Sequence, residues 1–435
     1  MNTPLQNVQT VIFCAILFIA ISANAQQNDS TIQGILANIQ HEKAKKIIAN
    51  PNQYRCQVIY TQIDRNTKGS PTFTHHRFNV DSNLYFNPAS MVKMPLAFLS
   101  LEKLNEMKKA GVDKFTTMAF DSSHEKQVAL TTDSSAKNFK PSIAQFIRRA
   151  MLISENDPYN RMYQFVGQEA ANRKLIEKGY TSSRITRQFM GYTDDQNRHT
   201  NGIRFLDDKG KLVYHQQPAY NRDSFRFPSP ILIGDKHINR NDELVNGPFD
   251  FTRHNNISLD DMRQMLQAMI YPSSVPKHQR FNITEADRLF MLQYMSQYPS
   301  ETPYPNYDST IFYDSYVKFF FQDSSHTIPP HIRVFNKVGW AYGFLTDVSY
   351  VIDTKHNIDY MLSATVYVNS DGVINDSKYD EESMGFPFFR ALGKAIYEYE
   401  LKRPRKHQPP LKMNGVVYEK RDPQDKRPTI KMADN

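Results

Sequence analysis

The chain has 435 residues and a formal net charge of +8, with 53 Lys and Arg against 45 Asp and Glu. Residues 402–435 hold ten basic and four acidic residues, so most of the charge lies there and the remainder is close to neutral. This distribution, without any nucleic-acid-binding motif, argues against a nucleic-acid partner. We expect 402–435 to form a basic, partly disordered tail. The alternative is a weak contact of this tail with the acidic envelope.

The first 25 residues have the composition of a secretory signal peptide. The apolar run 11–22 is too short for a bilayer, which needs about 20 residues. Ala23 and Ala25 match the A-x-A cleavage pattern, so we predict that 1–25 is removed and that the protein is periplasmic. An uncleaved anchor is the alternative. Cys56 is then the one cysteine of the mature chain, which excludes an intramolecular disulfide and a thiol metal cluster.

The elements follow one another without internal repeats. An N-terminal helix over 30–50 is followed by two strands, a helix that begins near Ser90 and ends at Gly111, and a mostly helical region up to 190. The stretch 192–256 is polar and rich in turns. After it we predict two helices, three strands and a closing helix: 258–270, 284–295, 333–340, 344–353, 359–368 and 383–401.

Strands near both ends of the chain enclose a helical middle, which predicts an α/β fold of the α+β type. One mixed lobe, about 31–86 and 311–401, holds an antiparallel sheet built from both chain ends. An all-helical lobe, about 87–310, carries the polar insertion 192–256. Together they form one domain over 26–401.

The pattern S-x-x-K suggests a serine nucleophile with a lysine as proton acceptor. It occurs six times, at Ser90, Ser100, Ser123, Ser134, Ser274 and Ser315. Serine and lysine three residues apart are neighbours on a helix but not on a strand, which argues against Ser315 in a strand-like segment. Ser90 stands at a helix start before an apolar run that would keep Lys93 neutral by burial. The alternative for Ser90 is a plain helix N-cap.

Two further motifs follow in the order that such chemistry requires. Ser154 and Asn156 form an S-x-N motif in a break between helices, and Lys337 and Gly339 form a K-x-G motif on a late strand. With the Ser90 helix, these motifs resemble those of the penicillin-recognising serine hydrolases, meaning class A β-lactamases and penicillin-binding proteins. The resemblance extends over about 31–401 and implies the β-lactamase/transpeptidase-like fold.

The resemblance also implies roles for these residues. Ser90 would form the acyl-enzyme, Lys93 would accept its proton, and Ser154 would pass a proton to the leaving nitrogen. Asn156 would hold the amide side chain of the substrate, and Lys337 would attract its carboxylate.

Two further roles belong to backbone groups near the strand. Gly339 would let the substrate lie close to the strand, and the backbone N–H groups of Ser90 and Trp340 would form the oxyanion hole. We expect no metal and no organic cofactor, since neither "HEKAK" nor "HEKQV" supplies the second histidine of a zinc-binding helix.

Four features differ from the family pattern. Val338 stands where a Thr or Ser hydroxyl usually binds the substrate carboxylate, and no arginine follows on that strand up to Asp353. The glutamate that activates the deacylating water in class A enzymes has no counterpart in 182–201, where Asp194 and Asp195 are the acidic residues. The segment between the second and third motifs is also longer than usual.

The sequence therefore predicts a periplasmic serine hydrolase that acts on a β-lactam or a peptidoglycan-peptide-like substrate. β-Lactam hydrolysis is the first hypothesis. A D,D-peptidase, penicillin-binding or esterase-type enzyme with slow deacylation is the second. A non-catalytic envelope-binding protein is the third, and the presence of all five motif side chains weighs against it.

Overall fold

The computed structural model describes residues 29–107, 111–407, 411 and 415–433. The predicted signal peptide, 1–25, lies outside these residues. Within the described ranges, no helix has the combined length and hydropathy needed to cross a membrane.

The helices and strands have the following bounds. The helices are α1 (Ser30–Ala37), α2 (Glu42–Ala49), α3 (Lys93–Glu106), α4 (Ile143–Leu152), α5 (Asn156–Val166), α6 (Gln168–Glu177), α7 (Leu259–Ile270), α8 (Glu285–Ser296) and α9 (Phe386–Lys402). The strands are β1 (Gln57–Arg65), β2 (Pro71–Phe78), β3 (Thr117–Phe120), β4 (Ile203–Leu206), β5 (Leu212–Gln216), β6 (Leu232–Ile233), β7 (Lys236–Ile238), β8 (Leu244–Asn246), β9 (Phe249–Asp250), β10 (Ile332–Ala341), β11 (Phe344–Asp353), β12 (Ile358–Tyr367) and β13 (Val373–Ile374).

The main sheet joins the two ends of the chain. Its strand order is β10-β11-β12-β1-β2, and every neighbouring pair is antiparallel. Side chains alternate between the faces of a strand. Val58 and Tyr60 therefore enter the core beneath α1, α2 and α9, whereas Ile59 and Ile63 enter the core shared with the helical lobe. The predicted fold class, an antiparallel sheet with a helical lobe beside it, is confirmed.

The N-terminal helix is divided, where a single helix was predicted. α1 ends before Asn38, whose side chain donates to the Gly34 carbonyl at 2.9 Å, and α2 begins again at Glu42. The break lets the apolar residues of both short helices, such as Ile35 and Ile47, face the same core.

Three segments differ in detail from the sequence prediction. The helical region ends with α6 at Glu177 and does not continue to 190, and the stretch 192–256, predicted to be polar and rich in turns, also contains the short strands β4 to β9. Residues 311–331 contain no strand. Ser315 and Lys318 lie in turns, so the sheet resumes only at Ile332.

The end of the chain packs against the body, although we expected partial disorder there. Arg421 donates to the carbonyls of Pro299, Thr302 and Tyr307 at 2.7, 2.9 and 2.8 Å. Ile430 donates to the Asn306 carbonyl at 2.8 Å. The segment 415–433 is therefore held by backbone groups of the loop after α8, which its composition did not indicate.

Candidate active site

The S-x-x-K motif spans a tight turn and the start of α3. Residues 89–92 form a 3-10 turn that runs directly into α3, so Ser90 and Lys93 lie one turn apart. Ala89 has a φ of 43°, a conformation that L residues rarely adopt, and its N–H donates to Asn87 Oδ1 at 2.8 Å. The Asn87 side chain thus fixes the backbone immediately before Ser90.

Lys93 is fully buried and stands at the centre of the site. Its Nζ lies 2.7 Å from Ser90 Oγ, 2.7 Å from Asn156 Oδ1 and 3.3 Å from Ser154 Oγ, and it also contacts the Ser154 carbonyl. Burial, together with the nearby Lys337 ammonium, holds the pKa of Lys93 well below its usual value of 10.5. A neutral amine within hydrogen-bond distance of a serine hydroxyl can accept its proton.

The S-x-N motif forms the sharp connection between α4 and α5. Ser154 has a φ of 70°, and Asn156 is the first residue of α5. Glu155 between them is buried and anchors the connection, because its carboxylate accepts from Arg149 Nη2 at 2.6 Å and from the Tyr307 hydroxyl. These contacts hold a strained serine beside Lys93.

The K-x-G motif lies on β10, the edge strand of the main sheet. Lys337 Nζ donates to Ser154 Oγ at 2.7 Å and to the Val338 carbonyl at 2.9 Å. Burial lowers the pKa of Lys337 to about 7; the Asp347 carboxylate opposes this shift and Lys318 adds to it. The second and third motifs therefore meet at one hydroxyl.

Gly339 has a packing role that the sequence did not indicate. A Cβ at this position would meet the Pro88 carbonyl oxygen at 2.3 Å and Met91 Cγ at 2.8 Å. The missing side chain lets β10 pack against the turn that carries Ser90. Its predicted role beside a substrate stays a prediction.

A buried polar cluster beneath β10 was not predicted. Lys318 Nζ lies 2.7 Å from the Met295 carbonyl and 2.5 Å from Asn336 Oδ1, and Asn336 in turn donates to Asp347 at 2.9 Å. Burial raises the pKa of Asp347 to about 6. The cluster places a carboxylate near Lys337, and its members come from segments that are distant in sequence.

Three of the motif residues line a cleft of about 880 Å³, and Lys93 and Lys337 are buried behind them. Ser90, Ser154, Asn156, Val338 and Trp340 line it, together with residues 187–191 from the loop after α6. The Trp340 side chain is 43% exposed. Among the described cleft-lining residues, Glu381 is the one carboxylate. Burial raises the pKa of Glu381, and interactions with the Trp340 side chain and the Gly343 backbone partly oppose this shift.

The loop after α6, where the family pattern would place a deacylating glutamate, brings an aromatic ring against Lys93. The Phe189 ring centroid lies 5.3 Å from Lys93 Nζ. Asp194 pairs with Arg253 at 2.8 Å, and the Asp195 side chain is 64% exposed beside His199. Neither aspartate lines the cleft, so the structure does not support either as a substitute for the glutamate.

The competing S-x-x-K patterns have structural explanations. Ser100 is buried and donates to the Leu96 carbonyl at 2.8 Å, and Lys103 contacts Gln216 instead of the serine. Ser123 Oγ accepts from the Gly202 N–H at 2.8 Å. Ser315 is fully buried in a turn, so burial argues against it as a nucleophile and the strand argument was wrong.

Comparison with known proteins agrees with this geometry. The family model described as the beta-lactamase enzyme family matches residues 41–399, which is most of the chain. The chain belongs to the beta-lactamase enzyme family. The resemblance to penicillin-recognising serine hydrolases is thus confirmed at the level of the family, and the chain is a β-lactamase-like hydrolase.

Solved structures of this family include three similar ones. A beta lactamase from Xanthomonas campestris is 12% identical, with an alignment that covers 81% of this chain and 96% of that one and a TM-score of 0.45. One from Burkholderia vietnamiensis is 14% identical, with coverages of 84% and 98% and a TM-score of 0.45. One from Sphaerobacter thermophilus is 14% identical, with coverages of 84% and 99% and a TM-score of 0.41. No curated protein matches the chain.

Two groups of side chains in the described residues could hold a metal ion. They are His124, Asp195 and His199, and His331, Asp353 and His356. Neither group contributes to the lining of the cleft. Both oxygens of Asp353 already accept hydrogen bonds, including one from the Tyr397 hydroxyl at 2.6 Å, so that group is explained by the turn between β11 and β12.

Proposed function

We propose that the protein is a serine hydrolase of the class A β-lactamase type that forms an acyl-enzyme through Ser90. The observation that carries this proposal is the position of Lys93. A neutral amine has two N–H groups, which match the Ser154 carbonyl and Asn156 Oδ1, and one lone pair, which is left for the Ser90 hydroxyl 2.7 Å away. Lys93 is therefore prepared to accept a proton from Ser90.

Acylation of Ser90 by a β-lactam then proceeds in two steps. Ser90 Oγ bonds to the β-lactam carbonyl carbon as its proton moves to Lys93 Nζ, and the backbone N–H groups of Ser90 and Trp340 stabilise the oxyanion. The C–N bond breaks as Ser154 Oγ gives its proton to the leaving nitrogen and takes up the proton held by Lys93 Nζ, which lies 3.3 Å away. Ser154 can do so because its oxygen accepts from Lys337, which leaves its own proton free.

Substrate binding would use the rest of the motif residues. Asn156 would hold the amide side chain, and Lys337 would attract the substrate carboxylate next to Gly339. We place the enzyme in the periplasm because of the predicted signal peptide. Its substrate would be a β-lactam or a peptidoglycan-peptide-like amide.

A second candidate function, a penicillin-binding enzyme with slow deacylation, is favoured by Phe189. Hydrolysis of the acyl-enzyme needs a base that activates water. The ring of Phe189 covers Lys93. Glu381 is the one carboxylate among the described cleft-lining residues, and no described carboxylate forms a hydrogen bond with Ser90 Oγ, Lys93 Nζ or Ser154 Oγ. In the described residues, none is therefore in place beside Ser90 to serve as that base. A D,D-peptidase or an esterase-type hydrolase would have this property.

The lifetime of the adduct distinguishes the two candidates. We expect a labelled penicillin to form one covalent adduct per protein with either candidate. A β-lactamase predicts a transient adduct and many molecules of hydrolysed product, whereas slow deacylation predicts an adduct that survives removal of excess penicillin. Intact mass spectrometry over time, together with product analysis, measures both. A transient adduct with many turnovers would contradict slow deacylation and support a lactamase. Without any adduct, both functions would be excluded.

A further inference from the structure

Arg187 is a cationic residue of the cleft, and it is partly exposed. In the described parts of the chain, no carboxylate forms a hydrogen bond or an ion pair with its guanidinium group. Its one side-chain hydrogen bond there joins Nη1 to His254 Nε2 at 2.7 Å. A half-buried guanidinium without a counterion is suited to bind an anionic ligand.

His254 orients this guanidinium without neutralising it. The His254 ring packs between Phe251, at 5.0 Å between centroids, and Phe249, at 5.6 Å. Burial and the Arg187 charge lower the pKa of His254 to about 3, against a small opposing effect of Asp250. The imidazole is therefore neutral, and its Nε2 accepts from Arg187.

The backbone of Arg187 is fixed as well. Its N–H donates to Asn255 Oδ1 at 3.0 Å, and its carbonyl accepts from the Tyr159 hydroxyl at 2.8 Å. The charge is thus positioned before any ligand binds, which reduces the entropy lost on binding.

Arg187 and Lys337 lie toward different ends of the part of β10 that lines the cleft. Lys337 is buried behind the lining, where its Nζ contacts the cleft-lining Ser154. The His254 partner of Arg187 lies 6.3 Å, between ring centroids, from Tyr342, which follows the last residue of β10. At about 3.3 Å per residue, Lys337 and the end of the strand are about 13 Å apart. A substrate that lies along β10 would therefore have the Lys337 charge behind Ser154 at one end and the Arg187 guanidinium at the other.

We propose that Arg187 binds a second anionic group of the substrate, a carboxylate on its acyl side chain, while Lys337 attracts the first. This inference rests on the proposed function and narrows its substrates to dianionic amides. The planar guanidinium would pair with the carboxylate through two parallel N–H donors.

Two penicillins that differ by one carboxylate test the proposal. Benzylpenicillin and its α-carboxy derivative, carbenicillin, share the ring and its carboxylate. We expect the wild-type protein to acylate faster with carbenicillin. In Arg187→Gln, the ratio of the carbenicillin to the benzylpenicillin second-order rate constant should fall about ten- to a hundred-fold, the size of a charge-assisted hydrogen bond. The change should appear in the apparent binding constant instead of the limiting acylation rate.

Two further variants complete the experiment. Arg187→Lys keeps the charge and should restore part of the ratio. Arg253→Gln should leave the ratio unchanged, because Arg253 is 65% exposed, pairs with Asp194 and lies outside the cleft lining. An equal loss with both penicillins, or an unchanged ratio in Arg187→Gln, would overturn the inference while leaving acylation intact. Failure of the wild type to react with either penicillin would instead refute the proposed function and the inference with it.

Discussion

Replacing Lys93 with methionine should lower the rate of Ser90 acylation by about a hundred- to ten-thousand-fold, the usual contribution of a general base. The Lys93 amine lies 2.7 Å from Ser90 Oγ, and no His, Asp or Glu of the described residues forms a hydrogen bond with that oxygen. Methionine keeps most of the buried volume while removing the proton acceptor. Rapid mixing with a chromogenic cephalosporin measures the rate.

The same helix offers a matched control. Lys103 is the lysine of the other S-x-x-K pattern on α3, and its amine contacts the Phe165 carbonyl and Gln216 instead of a catalytic serine. Lys103→Met should acylate at the rate of the wild type, once circular dichroism has shown that both variants are folded. If Lys93→Met reacts as fast as Lys103→Met, Lys93 is not the proton acceptor.

Replacing Arg149 with methionine should lower the free energy of unfolding by about 3–5 kcal/mol, the cost of removing one partner from a buried ion pair. Arg149 bridges Glu155 at 2.6 Å and Asp133 at 3.2 Å, and all three side chains are buried. The substitution would leave two carboxylates without their cation. Because Glu155 lies between Ser154 and Asn156, we also expect slower acylation.

An exposed arginine provides the comparison for Arg149. Arg173 is 55% exposed and pairs with Glu177, which is 58% exposed, so Arg173→Met should lower the free energy of unfolding by about 1 kcal/mol or less. Urea unfolding followed by circular dichroism measures both variants. Equal costs for the two substitutions would show that the Arg149 network contributes little to stability.

The elements with regular hydrophobic spacing could be predicted from the sequence. These are the strands of the main sheet and the helices α7 to α9. The first motif lies at a helix start, the second between two helices and the third on a strand, as predicted. Ser90 and Lys93 could be predicted because helix geometry brings residues i and i+3 together. Only the family resemblance predicted that Ser154 and Lys337 lie beside these two residues, because spacing along the chain does not show which distant segments are in contact.

The features that were missed depend on long-range packing. Phe189 and Arg187 belong to the loop after α6, where the family pattern would place a glutamate. The neighbouring sequence does not indicate that the Phe189 ring covers Lys93 or that Arg187 lines the cleft. The close packing of Gly339 against Pro88 was also missed, because Pro88 lies far earlier in the chain. The break between α1 and α2 was missed because the apolar residues of both helices pack into one core that also contains residues from distant parts of the chain.

Peptide mapping after reaction with a penicillin would identify the acylated residue directly. The wild-type protein, trapped by acid and digested, should carry one acyl group on the peptide that contains Ser90, and Ser90→Ala should carry none. This result would assign the nucleophile independently of how fast the acyl group leaves. An acyl group on another residue, an adduct that persists in Ser90→Ala, or no adduct in the wild type would show that Ser90 is not the nucleophile.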